Sequence, residues 1–340
     1  MSVCALAKKD HKMKICGQYR DTPPRPIEDD AFITLWKMRQ EVGKIIAQNP
    51  HGWRRVLNAR DCTKNLAQRV QCINRAYFKC AELCQMVTVS PRTMVHLCEA
   101  PGGFAEFCSA RYAEAEAAAF SLQSAGCIAF SPVVKCARLG VPNEGDICNG
   151  NVLRHIKDLF REGVDFVTAD GGVQVEKQDI DVEEQVCTKL FLAQVVTTLS
   201  IQRVGGSCVI KFFEGATKAT IDIVKVMGLF YERVEVTKPR TSRGTNSERY
   251  LVCNGFRNND EAIKALQEIY DTMETSDRLY LSSVVDEELT LDDLQPFQKL
   301  ARAQVESIRL LISSTKTQNL DRIVTLRKED EAHVLEQLPH

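Results

Sequence analysis

The amino-acid sequence predicts an α/β fold, in which an open sheet of parallel strands alternates with helices. The apolar runs 164–169 and 207–213 have the composition of buried strands, and a helical pattern separates them. A shorter run, 95–97, leads into a turn of small residues and then into a helix pattern that begins at Phe104. Ligands of such folds bind at the carboxyl ends of the strands, where this turn would lie.

The turn itself, Ala100-Pro101-Gly102-Gly103, is the candidate ligand-binding loop. Its glycines can adopt backbone angles closed to other residues, and the helix behind them would point its first N–H groups at a ligand. The loop lacks the G-x-G-x-x-G spacing of dinucleotide-binding folds, and we find no phosphate-loop G-K-[ST] motif. By itself, the glycine pair is equally typical of a plain strand-to-helix turn.

The overall composition is ordinary for a soluble globular protein, with 44% hydrophobic and 26% charged residues among 340. This length accommodates one large α/β domain with additions, or two domains. The net charge of −1 means that binding to a nucleic acid would depend on local basic patches. No apolar run approaches the roughly 20 residues of a membrane span, and the N-terminus has no signal-peptide core, so we expect no membrane association.

Fourteen cysteines are scattered through the apolar patterns. The close pair Cys80/Cys84, and Cys98 near His96, lack the paired C-x-x-C units that are typical of zinc sites. The sequence therefore predicts buried, reduced thiols of an intracellular protein and no metal site.

Residues 1–60 are predicted as an N-terminal arm followed by a helical extension. The arm carries a lysine cluster and then three prolines within 23–26, which block helix and sheet alike. An apolar stripe predicts a helix over 29–48. Trp53, beside Arg54 and Arg55, could stack on a nucleotide or lie under the core. The lysines of the cluster are Lys8, Lys9, Lys12 and Lys14.

Residues 61–258 form the predicted central domain. Its first element is one long helix over 63–87, in which Lys79 has apolar neighbours and either extends to solvent or has a chemical role. A helix over 104–113 and a strand over 117–122 follow the glycine loop, and residues 131–139 are helical or irregular. After a turn at 142–143, Asp146 either caps that turn or accepts hydrogen bonds from a nucleoside.

The second half of this domain carries two more ionisable residues, one at the end of a predicted strand and one inside a predicted strand. Asp170 ends the strand 164–169, where α/β enzymes place functional carboxylates, and a helix over 182–203 follows. Lys211 lies in the middle of a buried strand, which is rare without a partner or a role. The last strands, 231–236 and 249–252, suit an antiparallel pair at the sheet edge. The loop between them carries Lys238, Arg240 and Arg243, which are either solvated charges or contacts to a polyanion such as RNA.

Residues 259–340 are predicted as a charged helical extension, which could serve as a cap or as a docking surface. Thr290 and Asp293 resemble a capping box at the start of one of its helices. No catalytic pattern occurs there.

Six segments within 74–252 resemble the FtsJ/RrmJ-type ribose 2′-O-methyltransferases, and they are most like the mRNA cap-specific branch. The fold that this resemblance implies is a Rossmann-like, S-adenosylmethionine-dependent methyltransferase sheet of seven strands, the last antiparallel, with helical extensions at both ends. The flanking regions match nothing that we can place. The segments are N-R-A-Y-F-K (74–79), H-L-C-E-A-P-G-G-F-A-E-F (96–107), G-D-I (145–147), T-A-D-G-G (168–172), G-G-S-C-V-I-K-F (205–212) and K-P-R-T-S-R-G-T-N-S-E-R-Y-L-V (238–252).

The resemblance also implies the site residues. The family's Lys-Asp-Lys-Glu tetrad corresponds to Lys79, Asp170, Lys211 and Glu248. S-Adenosylmethionine is the implied cofactor, and no metal is required. The cofactor contacts that it implies are Asn74, Cys98, Glu99, Ala100, Pro101, Gly102, Gly103, Phe104, Asp146 and Ile147.

The mechanism that we infer for this tetrad is placement of a ribose 2′-hydroxyl and removal of its proton. Lys211 is the candidate general base or hydroxyl-orienting group, and Lys79 would lower its pKa by repulsion while holding the ribose or phosphate. Asp170 would accept a hydrogen bond from either lysine, and Glu248 would fix Lys211. The net pKa of Lys211 is not predictable from sequence.

The implied substrate is the ribose near the 5′ cap of mRNA, and the implied partners of the C-terminal helices are other capping or RNA-processing proteins. A methylguanine cap would stack on an aromatic face, for which Trp36, Trp53, Tyr231 and Phe213 are available. An rRNA or tRNA 2′-O-methyltransferase and a non-catalytic RNA-binding subunit remain the alternatives, whereas a dehydrogenase is disfavoured by the missing G-x-G-x-x-G. A cellular cap enzyme would be nuclear, and a viral one could act in the cytoplasm.

Overall fold

A computed structural model describes residues 2–6, 13–123, 129–131, 145–173, 183–275 and 280–339. Within these ranges, seven strands form the main sheet in the order β1-β7-β8-β6-β5-β3-β4, and β2 and β9 form a second, two-stranded sheet. Strands β4, β3, β5 and β6 are parallel, whereas β8 is antiparallel to both β6 and β7. The strands are β1 (Ser2–Ala5), β2 (Ile15–Arg20), β3 (Thr93–Leu97), β4 (Glu116–Phe120), β5 (Val164–Ala169), β6 (Gln202–Phe213), β7 (Tyr231–Lys238), β8 (Glu248–Phe256) and β9 (Tyr280–Val285).

Helices cover both faces of the main sheet, which confirms the predicted α/β class with a seven-stranded sheet. Alternate strand residues contribute to two apolar clusters, one beneath α3, α4 and α5 and the other beneath α1, α2 and α6–α10, and α11 contributes to both. The helices are α1 (Asp30–Gln48), α2 (Pro50–Arg60), α3 (Thr63–Arg69), α4 (Ala76–Cys84), α5 (Gly103–Arg111), α6 (Gly150–Leu159), α7 (Glu183–Ile201), α8 (Lys218–Val226), α9 (Asp260–Glu274), α10 (Leu291–Thr317) and α11 (Asp321–Leu335).

The last two strands of the central domain are antiparallel, as predicted, but their predicted position at the sheet edge is wrong. Strand β8 lies inside the sheet between β6 and β7, and β1 pairs with β7 on its outer side. The pairing strand comes from the region predicted to be an arm. An uncovered β7 would present unpaired N–H and C=O groups, which β1 satisfies.

The two-stranded sheet is a second departure from the prediction. Strand β2 lies in the predicted arm and β9 in the region predicted to be helical, and they pair in antiparallel register from Ile15 opposite Val285 to Arg20 opposite Tyr280. On β9, the Ser283 hydroxyl donates to the buried carboxylate of Asp222 on α8. This contact fixes the strand against the main domain through a partner far away in sequence.

The predicted long helix over 63–87 is instead two helices, α3 and α4. Between them, the Asn74 side chain accepts a hydrogen bond from the Ala76 N–H, and the Glu106 carboxylate on α5 accepts one from the Ile73 N–H. These side chains satisfy backbone groups that a continuous helix would pair internally, so the chain turns here.

Helix α1 matches the predicted helix over 29–48, but its apolar stripe is only partly buried. Phe32 and Leu35 lie in the core, whereas Trp36 is 50% exposed. The Trp53 side chain on α2 is buried, which favours the core alternative over nucleotide stacking. The capping box of Thr290 and Asp293 is confirmed at the start of α10.

Several predictions concern residues outside the described ranges: the lysines at 8, 9 and 12, residues 132–139 of the irregular segment, and the turn at 142–143. Among the described residues, no helix is both long and apolar enough to span a membrane. The proposed limits of the three regions, 1–60, 61–258 and 259–340, stay a prediction.

Phe297 tests whether α10 is integral to the core of the sheet. Its ring is fully buried and packs edge-on against Phe212, the neighbour of Lys211 on β6, with ring centroids 6.2 Å apart. We expect Phe297→Ala to lower the free energy of unfolding, measured by urea titration, by about 3–5 kcal/mol because it leaves a cavity. The control is Leu291→Ala on the same helix, where the side chain is 79% exposed. Equal midpoints for the two variants would contradict this packing.

Candidate active site

The four residues of the predicted tetrad come together at the carboxyl ends of the parallel strands. Asp170 directly follows β5, and its N–H donates to the carbonyl of Leu97 at the end of β3. Lys211 lies near the end of β6, Glu248 opens the neighbouring β8, and Lys79 extends from α4. Because Lys79 and Glu248 are both buried, each needs a partner of opposite charge.

The tetrad forms two ion pairs. Lys79 Nζ lies 2.6 Å from Glu248 Oε1. Lys211 Nζ donates to the main-chain carbonyl of Asp170 at 2.7 Å and lies 3.3 Å from its carboxylate. In this arrangement Glu248 pairs with Lys79 and not with Lys211, which Asp170 holds instead.

Tyr250 links the two ion pairs, and the sequence analysis missed it. Its hydroxyl lies 2.8 Å from Asp170 Oδ1 and 2.9 Å from Glu248 Oε1, so its single proton can be donated to either carboxylate. Lys79 Nζ donates to the same hydroxyl at 3.3 Å. A signal was present in the sequence, because residues two apart on a strand point to the same face, and Tyr250 follows Glu248 by two.

The charges of the tetrad determine its protonation. Burial by itself would raise the pKa of Glu248, but Lys79, Lys211 and Lys238 lower it below its ordinary value. Burial would lower the pKa of Lys211, but Asp170 and Glu248 raise it above 10.5. Lys211 is therefore protonated at neutral pH. In the free protein it fits the hydroxyl-orienting role better than that of a base, which must be neutral.

The glycine loop lies beside the tetrad and has the backbone geometry that its sequence suggests. Cys98 and Gly102 have positive φ angles of 57° and 111°, and α5 begins immediately after Gly102. A Cβ at position 103 would collide with the Asn74 side chain, so Gly103 permits this close approach. The N–H groups of the first turn of α5 have no intrahelical acceptors and are available to a ligand.

The other predicted cofactor contacts differ in their placement. The pKa of Cys98 is raised mainly by burial. Glu99 and Asp146 raise it further, so both carboxylates lie near this thiol. The Asp146 carboxylate accepts a hydrogen bond from the Cys148 N–H, which is the local-cap geometry, and Ile147 is buried. Glu99 is also buried, 3.4 Å from Nδ1 of His96.

Phe104 connects the loop to the tetrad. It is buried at the start of α5, and its ring stacks on that of Tyr250 with centroids 5.9 Å apart. The first residues of α5, next to the loop, are therefore in direct contact with the residue that joins the two ion pairs.

The basic loop 238–244 divides into inward and outward residues. Lys238 Nζ is turned inward and donates to the carbonyls of Asn246 and Glu248, so its placement favours a structural role over the predicted RNA contact. Burial lowers the pKa of Lys238 to about 7. Arg243 is exposed to solvent on one side, and its partial desolvation together with the nearby Arg75 lowers its pKa, so two guanidinium groups lie near each other.

Glu82 fixes this loop, and the sequence analysis did not single it out. It is fully buried on α4, and its carboxylate accepts hydrogen bonds from the N–H groups of Arg240 and Thr241 at 2.9 Å each. Since Lys79 lies one helical turn earlier on α4, the same helix positions a tetrad lysine and the basic loop.

Titration of Lys211 tests the electrostatics of the site. We expect its Nζ, followed by heteronuclear NMR of labelled lysine, to titrate above about 10.4 because Asp170 stabilises the ammonium. The stability contributed by this contact is thus complete at neutral pH and is lost only as the pH rises through the raised pKa. Asp170→Asn should lower the midpoint, while Asp158→Asn, at an exposed site on α6, should not. A wild-type midpoint below about pH 9 would refute this description.

A family model described as FtsJ-like methyltransferase matches residues 72–256. The match includes all four tetrad residues, Tyr250 and the glycine loop.

Named relatives extend the comparison. The chain is 31% identical to cap-specific mRNA (nucleoside-2′-O-)-methyltransferase 1 of Drosophila melanogaster over 287 residues, which are 75% of this chain and 35% of the relative. It is 40% identical to the Mus musculus protein of the same name over 123 residues, 35% of this chain and 15% of the relative. A third relative, of Caenorhabditis briggsae, is named inactive cap-specific mRNA (nucleoside-2′-O-)-methyltransferase 1B and is 30% identical over 174 residues, 47% of this chain and 20% of the relative. The chain thus spans about a third or less of these relatives.

Proposed function

Because the chain belongs to the FtsJ-like methyltransferase family, we propose that it transfers a methyl group from S-adenosylmethionine to a ribose 2′-hydroxyl near the 5′ cap of mRNA. The observation that carries this proposal is the assembled tetrad beside the glycine loop. Two lysines and two carboxylates lie within hydrogen-bond distance of one another or of Tyr250 at the carboxyl ends of the strands. Metal-free transfer to an alcohol needs such a set of groups to hold and deprotonate it.

The residues around the loop fit S-adenosylmethionine. The first-turn N–H groups of α5 can bind a carboxylate, because they lack intrahelical acceptors. Asp146, partly exposed beside Cys98, can accept hydrogen bonds from a nucleoside. When bound, the cofactor supplies a methyl group on a positively charged sulfur.

Placement of the hydroxyl is the main contribution that the chain's own residues make. The Lys211 ammonium, held by Asp170, donates a hydrogen bond that fixes the ribose oxygen. Lys79 is fixed by Glu248 and presents a second positive charge for the ribose or an adjacent phosphate. Proton removal by Lys211 would require a complex in which its pKa falls, since Asp170 and Glu248 raise it in the free protein.

A basic cleft beside the tetrad supports an RNA substrate. It has a volume of about 540 Å³ and is lined by α2, the loop 238–244 and α10. Arg54, Arg240 and Arg243 are among its lining residues and can bind phosphates. The chain as a whole has a net charge of −1, so this local positive charge would determine where RNA binds.

A second cleft supports recognition of the cap. Of the four aromatic candidates, Trp53 and Tyr231 are buried, whereas Trp36 is 50% exposed. Trp36 lines a cleft of about 410 Å³ together with the carboxylates of Glu28 and Glu183 and with Ser247, the neighbour of the tetrad residue Glu248. An exposed indole next to carboxylates suits a positively charged methylguanine.

A non-catalytic RNA-binding subunit is the second candidate, because one relative is named inactive. The complete tetrad of this chain favours the enzyme.

Methyl transfer to matched RNAs tests the proposed function. We expect label from S-adenosylmethionine to enter RNA with a methylguanosine cap and not the same RNA without a cap. Lys211→Ala should reduce transfer by about a hundredfold or more, because the hydroxyl loses its orienting group. Lys264→Ala, at an exposed site on α9, is the control. Equal labelling of uncapped RNA would favour an rRNA or tRNA substrate, and no labelling with cofactor bound would favour the non-catalytic subunit.

Asp146→Ala tests the cofactor assignment by isothermal titration calorimetry with S-adenosylhomocysteine. We expect weaker binding, because a charged hydrogen-bond acceptor contributes about 1.5–3 kcal/mol. Asp158→Ala, on the exposed face of α6, should bind normally. Unchanged affinity of the Asp146 variant would remove this residue from the site.

A further inference from the structure

We propose that Cys80, Cys84 and Cys108 form a zinc-binding site between α4 and α5. Cys80 and Cys84 lie one turn apart on α4, and Cys108 faces them from α5. Among the described residues, these form the one group whose potential ligand atoms all lie within 4.8 Å of one another. This assignment replaces the sequence-based prediction of no metal site and does not depend on the proposed function.

The spacing of the sulfurs matches tetrahedral zinc. Cys80 Sγ lies 3.7 Å from Cys84 Sγ and 3.6 Å from Cys108 Sγ. With zinc–sulfur bonds of about 2.3 Å, two thiolates of a tetrahedral site lie about 3.8 Å apart. Coordination by these three thiolates would need only small shifts of the cysteine side chains, which the two helices already hold close together.

The site lies in a dry, preformed part of the core. All three cysteines are almost fully buried in one apolar cluster with Phe78, Phe104 and Phe107. Structural zinc sites are closed to water and are bound by cysteine thiolates and histidine nitrogens.

His96 is the candidate for a fourth ligand, although its ring nitrogens are not in the group within 4.8 Å and the imidazole would have to move toward the sulfurs. It shares the face of β3 with Met94, which packs in the same apolar cluster as the cysteines. The imidazole is fully buried, its Nδ1 lies 2.7 Å from Thr168 Oγ1, and its Nε2 has no hydrogen-bond partner among the described residues. A histidine whose other nitrogen is fixed by a neighbour is the usual form of a zinc ligand.

A metal at this position would connect two functional elements. Cys80 directly follows the tetrad residue Lys79, and α5, which carries Cys108, begins at the glycine loop. Zinc would therefore hold α4, which carries Lys79, against α5, which begins at the glycine loop.

The test is the metal content of the full chain, measured after reduction, equilibration with zinc and removal of loosely bound ions. We expect one zinc per chain, and cobalt(II) in its place should show thiolate charge-transfer bands and tetrahedral d–d bands. Cys84→Ala and Cys108→Ala should each lose the metal or bind it at least tenfold more weakly. Cys62→Ala is the matched control, since Cys62 is buried in the same cluster but is not in the group.

Wild-type protein that takes up neither zinc nor cobalt would overturn the proposal, as would full retention of metal in both cluster variants. If those variants do not fold, the cobalt spectrum of the wild-type chain still decides, because thiolate bands require cysteine ligands. A wild-type chain that binds zinc but transfers no methyl group would contradict the proposed function and leave the metal-site proposal standing.

Discussion

The fold depends at its functional end on the pairing of buried charges. Four ionisable side chains from α4, β6, β8 and the end of β5 meet where water is largely excluded, and an unpaired charge there would cost several kcal/mol. Tyr250 joins the Lys79–Glu248 pair to the Lys211–Asp170 pair, so the two pairs form one hydrogen-bonded network. Strand β8, which is antiparallel to its neighbours, lies directly beside β6 and brings Glu248 and Tyr250 to this network.

The surrounding structure holds the same elements in place from outside. Glu82 on α4 binds the backbone of the loop 238–244, and Lys238 binds that loop to the start of β8. Both side chains satisfy backbone or carbonyl groups that would otherwise be buried without partners. The loop that carries the exposed arginines is therefore a fixed surface next to the tetrad, which suits a substrate that must be held in register with the reacting atoms.

The segments outside the family match take part in the same architecture. Strand β1 closes the edge of the sheet at β7, and α10 packs Phe297 against Phe212, next to Lys211. On the outer side of this region, Arg249 is fully buried and lies 3.0 Å from Glu214, which also pairs with Arg39 of α1. This buried charge network joins α1, β8 and the residue that directly follows β6.

The sequence by itself determined the features that depend on local pattern and on motifs: the α/β class, the glycine loop, the capping box of α10 and the four tetrad residues. It could not determine features that join distant parts of the chain, because the residues of a short segment do not specify which distant segment it pairs with. Strand β1 has four residues and is defined by β7, more than 200 residues later. Only the tertiary structure decided that Lys238 turns inward, that Tyr250 joins the ion pairs, and that Cys108 approaches Cys80 and Cys84. The pKa of Lys211 likewise depends on the balance between burial, which lowers it, and two carboxylates, which raise it. That balance follows from the distances between Lys211 and these carboxylates, which only the tertiary structure gives.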